Sequence, residues 1–323
     1  MPWLLDVGVS QLIADALSEE LASSIIADES AALVKSEEVV ELANRWPTYR
    51  GRHIGTDEIR NWFEQVENPK DQRILFNLLT RTRVFSEALV RERLKVIPGF
   101  LRPTLPPFII RKPSDRRRDI CVTYVDGPGK SGANFASVFA EENRVDVECV
   151  IEHGVFKEGF ERLISKWGRP SVVLIVDDIA GTGRSLSGNM TTFLTAHRTA
   201  LEGIPIRIVS LVATATAQQG LETTLSKFEG LDVGFRICVV LADEACAFPK
   251  SASPWQSAEQ EARARALCTN LGARIYKNSP FGYGGLGLLV VFPTTVPNNS
   301  LPILHSHSRT SSDREWKPLF SRE

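Results

Sequence analysis

Apolar residues recur every three or four positions through roughly the first hundred residues of the chain. "VSQLIADALSEELASSIIADESAALVKSEEVVELANRW" holds that spacing throughout, and "TDEIRNWFEQV" opens on Thr56 and Asp57, cap-like residues at a helix start. "DQRILFNLLTRTRVFSEALVRERLKVI" predicts a further long amphipathic helix or a pair of them. Residues 1–100 therefore predict an N-terminal helical domain. The period breaks in "PGFLRPTLPPFIIRKPSDRRRD", whose five prolines remove backbone donors and fix φ, so residues 101–118 read as a linker.

Beyond the linker the texture changes. Apolar runs rich in Val and Ile appear: "ICVTYV", "VDVECVIEH", "VVLIV", "IRIVSLVATAT", "DVGFRICVVLA" and "LGLLVVF". Helical segments alternate with them: "ANFASVFAEEN", "FKEGFERLISKW", "SLSGNMTTFLTAHRTAL" and "AQQGLETTLSKF". A strand buried on both faces reads as an unbroken apolar run, and helices between such strands cover both faces of a parallel sheet. Residues 119–293 predict an open, mainly parallel α/β sheet. Residues 294–323, polar and punctuated by proline, predict an irregular C-terminal tail wrapping the surface.

Composition narrows the class. Apolar residues make up 43% of 323, which is globular rather than disordered. Lys and Arg (38) nearly cancel Asp and Glu (39), leaving no chain-wide basic footprint for nucleic acid. No apolar stretch approaches the ~20 residues of a membrane span, and the acidic, helical start is unlike a signal peptide. The expectation is a cytoplasmic protein with no membrane partner. Cys121, Cys149, Cys238, Cys246 and Cys268 stand singly and read as buried free thiols. His305 and His307 read as solvated side chains of the tail.

In an open α/β sheet, ligands bind beyond the carboxyl ends of the strands. Two strand ends here carry chemistry: "DGPGKSGANF" (126–135) and "DDIAGTGRSL" (177–186). Each is a short loop of glycine and hydroxyl residues leading into a helix, where backbone N–H groups and the helix dipole favour an anion. Two such loops imply two phosphate groups. "GPGKSG" contains the GK[ST] core of a nucleotide-hydrolase P-loop, but counting back from Gly129 puts Tyr124 where the first glycine belongs. A magnesium-holding strand also has no need of a second phosphate loop directly after its acids. The other reading accounts for both features. Asp177 and Asp178 accept hydrogen bonds from neighbouring sugar hydroxyls, and Thr182, Gly183, Arg184 and Ser185 cradle a phosphate on the same sugar. The ligand so described is a ribose 5-phosphate.

On those residues the chain resembles the type I phosphoribosyltransferases. "VLIVDDIAGTGRS" is similar to their phosphoribosyl pyrophosphate signature: an apolar strand, an acidic pair, two small residues, Thr-Gly and a hydroxyl residue. The resemblance implies that Asp177 and Asp178 are the catalytic and magnesium-binding acids, facing the ribose hydroxyls. It implies that Gly181, Thr182, Gly183, Arg184 and Ser185 grip the 5-phosphate. It implies further that Gly127, Gly129, Lys130, Ser131 and Gly132 form the pyrophosphate loop and that Mg2+ would bridge pyrophosphate and ribose oxygens. The loop "DGPGKSGANFASVFAEEN", the helical front with "WFEQV" and the tail "GYGGLGLLVVFPTTVPNNSLPIL" further resemble phosphoribosyltransferase-like proteins predicted in bacterial anti-phage systems. Some of those accompany a reverse transcriptase in retron loci, which implies that enzyme and its RNA or DNA as partners.

Many biosynthetic members carry a long flexible loop between the second and third strands, closing over the site. Here only "EHGVFKEGFERLISKWGRP" fits between Ile151 and Ser171, and it reads as a helix with short turns. Shielding has to come from elsewhere, or the activity is not the usual one. Three functions follow: transfer of ribosyl phosphate, a non-catalytic nucleotide sensor with the same pocket, and the less favoured P-loop hydrolase. "FGYGGLG" (281–287), which precedes a strand, reads as a turn with close backbone packing. Phe248 in "ADEACAF" is a candidate for stacking on an acceptor base, and Trp62 and Phe63 are expected in the helical core.

Overall fold

The structure, a computed structural model, describes residues 32–127, 131–308 and 315–322. Predictions for the chain before Ala32, and those for Gly129 and Lys130, lie outside the described residues.

The front of the chain forms α1 (Ser36–Arg45), α2 (Thr56–Phe63) and α3 (Pro69–Arg81), then a two-residue strand β1 (Arg83–Val84), α4 (Glu87–Lys95) and α5 (Ile97–Leu101). Local chemistry sets these limits. Asn68 accepts from the Lys70 N–H with Pro69 as first helical residue, and the Ser86 side chain accepts from the Leu89 N–H, each satisfying a first-turn amide. The predicted long helix is therefore a pair, broken at β1.

The sheet is built from β2 (Ile120–Thr123), β3 (Val150–Ile151), β4 (Val172–Ala180), β5 (Ile206–Thr214) and β6 (Val233–Leu241). Its order is β3-β2-β4-β5-β6 and every pairing is parallel. The crossovers are α6 (Ser131–Glu142), α7 (Phe156–Trp167), α8 (Arg184–Leu201) and α9 (Ala215–Leu225). The α/β class with a mainly parallel sheet is thus the observed fold. An 18-residue helix, α10 (Ala258–Ile275), follows β6, and β7 (Val290–Val291) comes next.

Two predicted strands differ. In "VDVECVIEH", Asp146 caps a single helical turn at Val147–Cys149 by accepting from the Glu148 N–H, and only Val150–Ile151 pairs. "LGLLVVF" does not join the main sheet; Val290–Val291 pairs with Arg83–Val84 in a separate two-stranded parallel sheet. The apolar run has another cause. Leu288, Val290 and Phe292 enter one hydrophobic core while Leu289 and Val291 enter a second. Alternate side chains are buried on opposite sides, against two cores rather than two faces of one sheet.

The first core lies around the five-stranded sheet and takes in Phe85, Val90, Leu94, Ile97 and Leu101 from the front of the chain. The second joins Trp62, Phe63 and Phe76 to Cys268 and Leu271 of α10 and to Leu301, Ile303, Leu304, Trp316 and Phe320 of the tail. Hydrophobic contacts therefore run across positions 100 and 293. The tail is irregular in backbone, but it is core material rather than a surface wrap. The indole N–H groups of Trp62 and Trp316 both donate to Ile303 O (3.3 and 2.8 Å), which holds its backbone without regular structure. His305 is buried too, at 1% exposure, against the expectation of a solvated side chain. Among the described residues no helix is long and apolar enough to cross a membrane.

Candidate functional site

β2 and β4 are neighbours in register, Ile120 beside Val172 and Thr123 beside Ile175, so their carboxyl ends deliver both loops to one place. β4 runs on through the acids. Asp177 lies beside Ser210, and Ile179 and Ala180 lie beside Val212 and Ala213, which leaves Gly181–Gly183 as the whole turn before α8. Each residue of that turn is constrained. Gly183 has φ +73°, and a Cβ there would meet the Ala217 backbone at 3.0 Å. At Gly181 a Cβ would fall 2.5 Å from the Asn299 amide carbon. Thr214 Oγ1 donates to Gly181 O (2.6 Å), and Thr182 Oγ1 accepts from the Arg184 N–H (3.3 Å).

The other loop is fastened to its helix by a carboxylate. Asp126 Oδ2 accepts from the Gly132 N–H (3.1 Å), and a Cβ on residue 132 would sit 2.3 Å from Asp126 Oδ1, so a larger residue there displaces the carboxylate. The Ser131 hydroxyl shares the cavity with Asp178 and pulls its carboxyl pKa down, so the first loop acts on the acidic pair. Between the loops lies a cavity of about 630 Å3. It is lined by Asp126, Gly127, Ser131, Asp177, Asp178, Gly181, Thr182, Gly183 and Ser185. Among the predicted residues, Gly132 packs against Asp126 behind this wall and Arg184 is exposed outside it.

Facing the loops is a wall the sequence did not announce. Tyr283, residues 294–299 and Arg322 line the same cavity. The glycine run before β7 is a close-packed turn, as its sequence predicts: Gly284, at φ +71°, leaves a Cβ position only 2.3 Å from Thr182 Cγ2. Asn299 holds the corner, donating from Nδ2 to Tyr283 O (2.9 Å) while its amide packs on Gly181. Phe248 is elsewhere, stacked on Trp255 with centroids 5.8 Å apart in the second core, and does not reach the cavity.

The cavity is electrostatically lopsided. Burial pushes the Asp177 carboxyl well above the usual range, and the neighbouring charges of Asp178 and Asp126 push it further. Burial also raises Asp178, against the pull of the Ser131 hydroxyl and of a hydrogen bond from the Ile179 N–H (2.8 Å to Oδ1). Three carboxylates thus face one space. Arg322 is the single cationic side chain lining it among the described residues. Burial lowers the Arg322 pKa, with Asp178 among the groups pulling the other way. Its Nε and Nη2 both donate to Val296 O, which pins the end of the chain across the cavity.

A parallel α/β sheet with two strand–loop–helix corners and an acidic pair at one cavity defines a phosphoribosyltransferase-like protein. The chain belongs to the PRTase-CE family, whose model matches residues 59–322. That span begins within α2 and takes in α3 to α5 of the helical front, the sheet and the tail wall. No curated protein matches the chain.

Proposed function

We propose that the cavity binds phosphoribosyl pyrophosphate with magnesium and that the protein transfers its ribosyl phosphate. The observation that carries this reading is the meeting of both loops and the acidic pair in one space of about 630 Å3, within the range of small-molecule sites. On this reading the amides and hydroxyls of Gly181 to Ser185 hold the 5-phosphate, the Gly127–Gly132 loop holds the pyrophosphate, and Asp177 and Asp178 orient the ribose. Gly129 and Lys130 belong to that loop on the sequence resemblance.

The donor set fits magnesium. Asp126, Asp177 and Asp178 offer hard oxygen ligands whose mutual repulsion a cation relieves. Among the described residues no three metal-binding side chains converge as a ready-made site. That suits an ion held by one or two carboxylates together with ligand phosphates. When bound, the ion neutralises charge on the departing pyrophosphate. The protein's own part is positioning, exclusion of water by the tail wall, and fixed N–H dipoles aimed at the phosphates.

Calorimetry and thermal shift test the ligand. Phosphoribosyl pyrophosphate with magnesium raises Tm by mass action, ATP does less, and Asp177→Asn with Asp178→Asn abolishes the effect. A shift with ATP alone, indifferent to the sugar diphosphate, would turn the assignment to the P-loop hydrolase. One observation favours a second reading. The tail wall is packed into a core rather than hung as a loop that opens, which suits a pocket that senses a nucleotide without converting it. Phosphorus NMR of the bound ligand separates the two: release of pyrophosphate marks an enzyme, an intact ligand a sensor. The anti-phage setting, with a reverse transcriptase and its nucleic acid as partners, rests on sequence resemblance, and its test is whether such a gene lies beside this one.

A further inference from the structure

A second concavity, of about 570 Å3, opens beside β6, the edge strand of the five-stranded sheet. Arg93 from the last turn of α4 and Arg236 from β6 both line it. Their charges converge: both act on the thiol of Cys238, which lines the same space and which burial otherwise raises to about 11. No carboxylate lines this concavity, and neither arginine is in an ion pair among the described residues. Arg93 Nε is buried and has no hydrogen-bond acceptor there, which leaves a charged donor desolvated and unsatisfied at real cost. Arg236 is held in place, its guanidinium carbon 5.6 Å from the centre of the Phe100 ring.

The remaining lining is apolar: Val96, Ile97, Phe100, Pro103, Val209 and Ile237. Two cations without a counter-ion, set in a greasy concavity of ligand size, match an anion carried on an apolar body. We propose that this concavity is a second binding site, separate from the loop cavity, for an amphipathic organic anion: a carboxylate, sulfonate or phosphate attached to an aromatic or aliphatic group. The anion lies between the two guanidiniums, accepts from Arg93 Nε, and its apolar body rests on Phe100 and Ile237. Inorganic phosphate alone leaves the apolar wall unused, and an uncharged aromatic leaves the arginines unpaired.

The experiment is a titration of the full chain with 8-anilinonaphthalene-1-sulfonate, read by fluorescence at neutral pH. Saturable binding at one site is expected, weakened about tenfold by Arg236→Gln, the loss of one charge-assisted contact. Arg236 is exposed on an edge strand, so this variant has no folding reason to fail. Arg93→Gln, judged only where its Tm matches wild type, weakens binding at least as much. Asp177→Asn with Asp178→Asn leaves binding unchanged, which places the probe outside the loop cavity. Equal affinity for wild type and Arg236→Gln would overturn the site. So would equal affinity for uncharged N-phenyl-1-naphthylamine, or loss of the probe only in the aspartate double variant.

Discussion

The two walls of the loop cavity are made in opposite ways. One is contiguous: in residues 172–186 a strand, an acidic pair, a three-residue turn and a helix start follow one another, and strand register fixes where each falls. The other is assembled from Tyr283, residues 294–299 and Arg322, irregular chain with its footing in the second core. The helical front holds it down. Tyr49 Oη donates to Ser321 O (2.8 Å), Arg50 Nη2 to Arg322 O (2.9 Å), and the Arg50 N–H to Pro293 O (2.6 Å). The lesson is that the two loops and the acidic pair belong to the sheet, while the enclosure belongs to segments far apart in the chain brought together.

That division can be broken from either side. The larger effect on folding comes from the tail side. Phe320 is fully buried, with its ring edge-on to Trp46 and Tyr49 at 5.3 and 5.4 Å. Phe320→Ala should cost about 3–5 kcal/mol in urea denaturation, as deletion of a buried ring does. It should also weaken ligand binding, although residue 320 does not line the cavity. An unchanged affinity would show that the tail is not needed to enclose the ligand. From the sheet side, Asp177→Asn with Asp178→Asn should reduce transfer or binding by about a hundred- to a thousandfold, the scale for lost electrostatic groups. Tm should hold or rise. Carboxyls whose folded pKa is raised destabilise the folded state once the pH is high enough to ionise them, and amides remove that penalty. A fall in Tm would mean the pair is structural.

The contiguous wall was legible because everything it needs is local. The acids end an apolar strand, Gly183 takes the one left-handed position, and Thr182 receives the Arg184 amide two residues on. α10 was missed although it carries a local signal, with Ala264, Cys268, Leu271 and Ile275 at helical spacing behind the Ser257 cap. The tail was not legible. Asn298, Asn299, Ser300, His305 and Ser306 make its composition read as surface, and nothing local says that Trp316 and Phe320 will meet helices over two hundred residues earlier in the chain. "LGLLVVF" misleads for a related reason: burial against two cores leaves the same apolar pattern as burial within one sheet.

His305 offers a smaller and pH-dependent way to probe the tail. Burial, aided by the Arg322 charge, holds its imidazole down at about 3. Its ordinary value is near 6.5, so at pH 5 the unfolded chain takes up a proton that the folded chain refuses. The residue's contribution is therefore complete above about pH 6.5 and is lost progressively as the pH falls towards 3. Between pH 7.5 and 5 the loss from this residue alone is about 2 kcal/mol, measurable as a shift in the urea midpoint. His305→Gln should flatten that part of the pH profile. An equal slope in the variant would assign the pH dependence to other groups.

The smallest expected effect asks whether the tail wall takes part in binding or only encloses. Arg322 lines the cavity opposite three carboxylates, and two of its nitrogens are committed to one carbonyl, Val296 O. A guanidinium has five N–H donors, more than that carbonyl can accept, and its charge is the only positive one lining the cavity among the described residues. A ligand bearing phosphates would therefore meet Arg322 from the tail side as it meets the helix amides from the sheet side. Arg322→Gln keeps a donor for Val296 O and removes the charge. Affinity for phosphoribosyl pyrophosphate with magnesium should fall about tenfold, near 1.4 kcal/mol, with Tm nearly unchanged. The wild-type affinity should weaken with added salt more steeply than the variant's, since one ionic contact has gone. Equal affinity and equal salt dependence in the two proteins would leave Arg322 a prop for Val296 and would confine ligand recognition to the sheet wall.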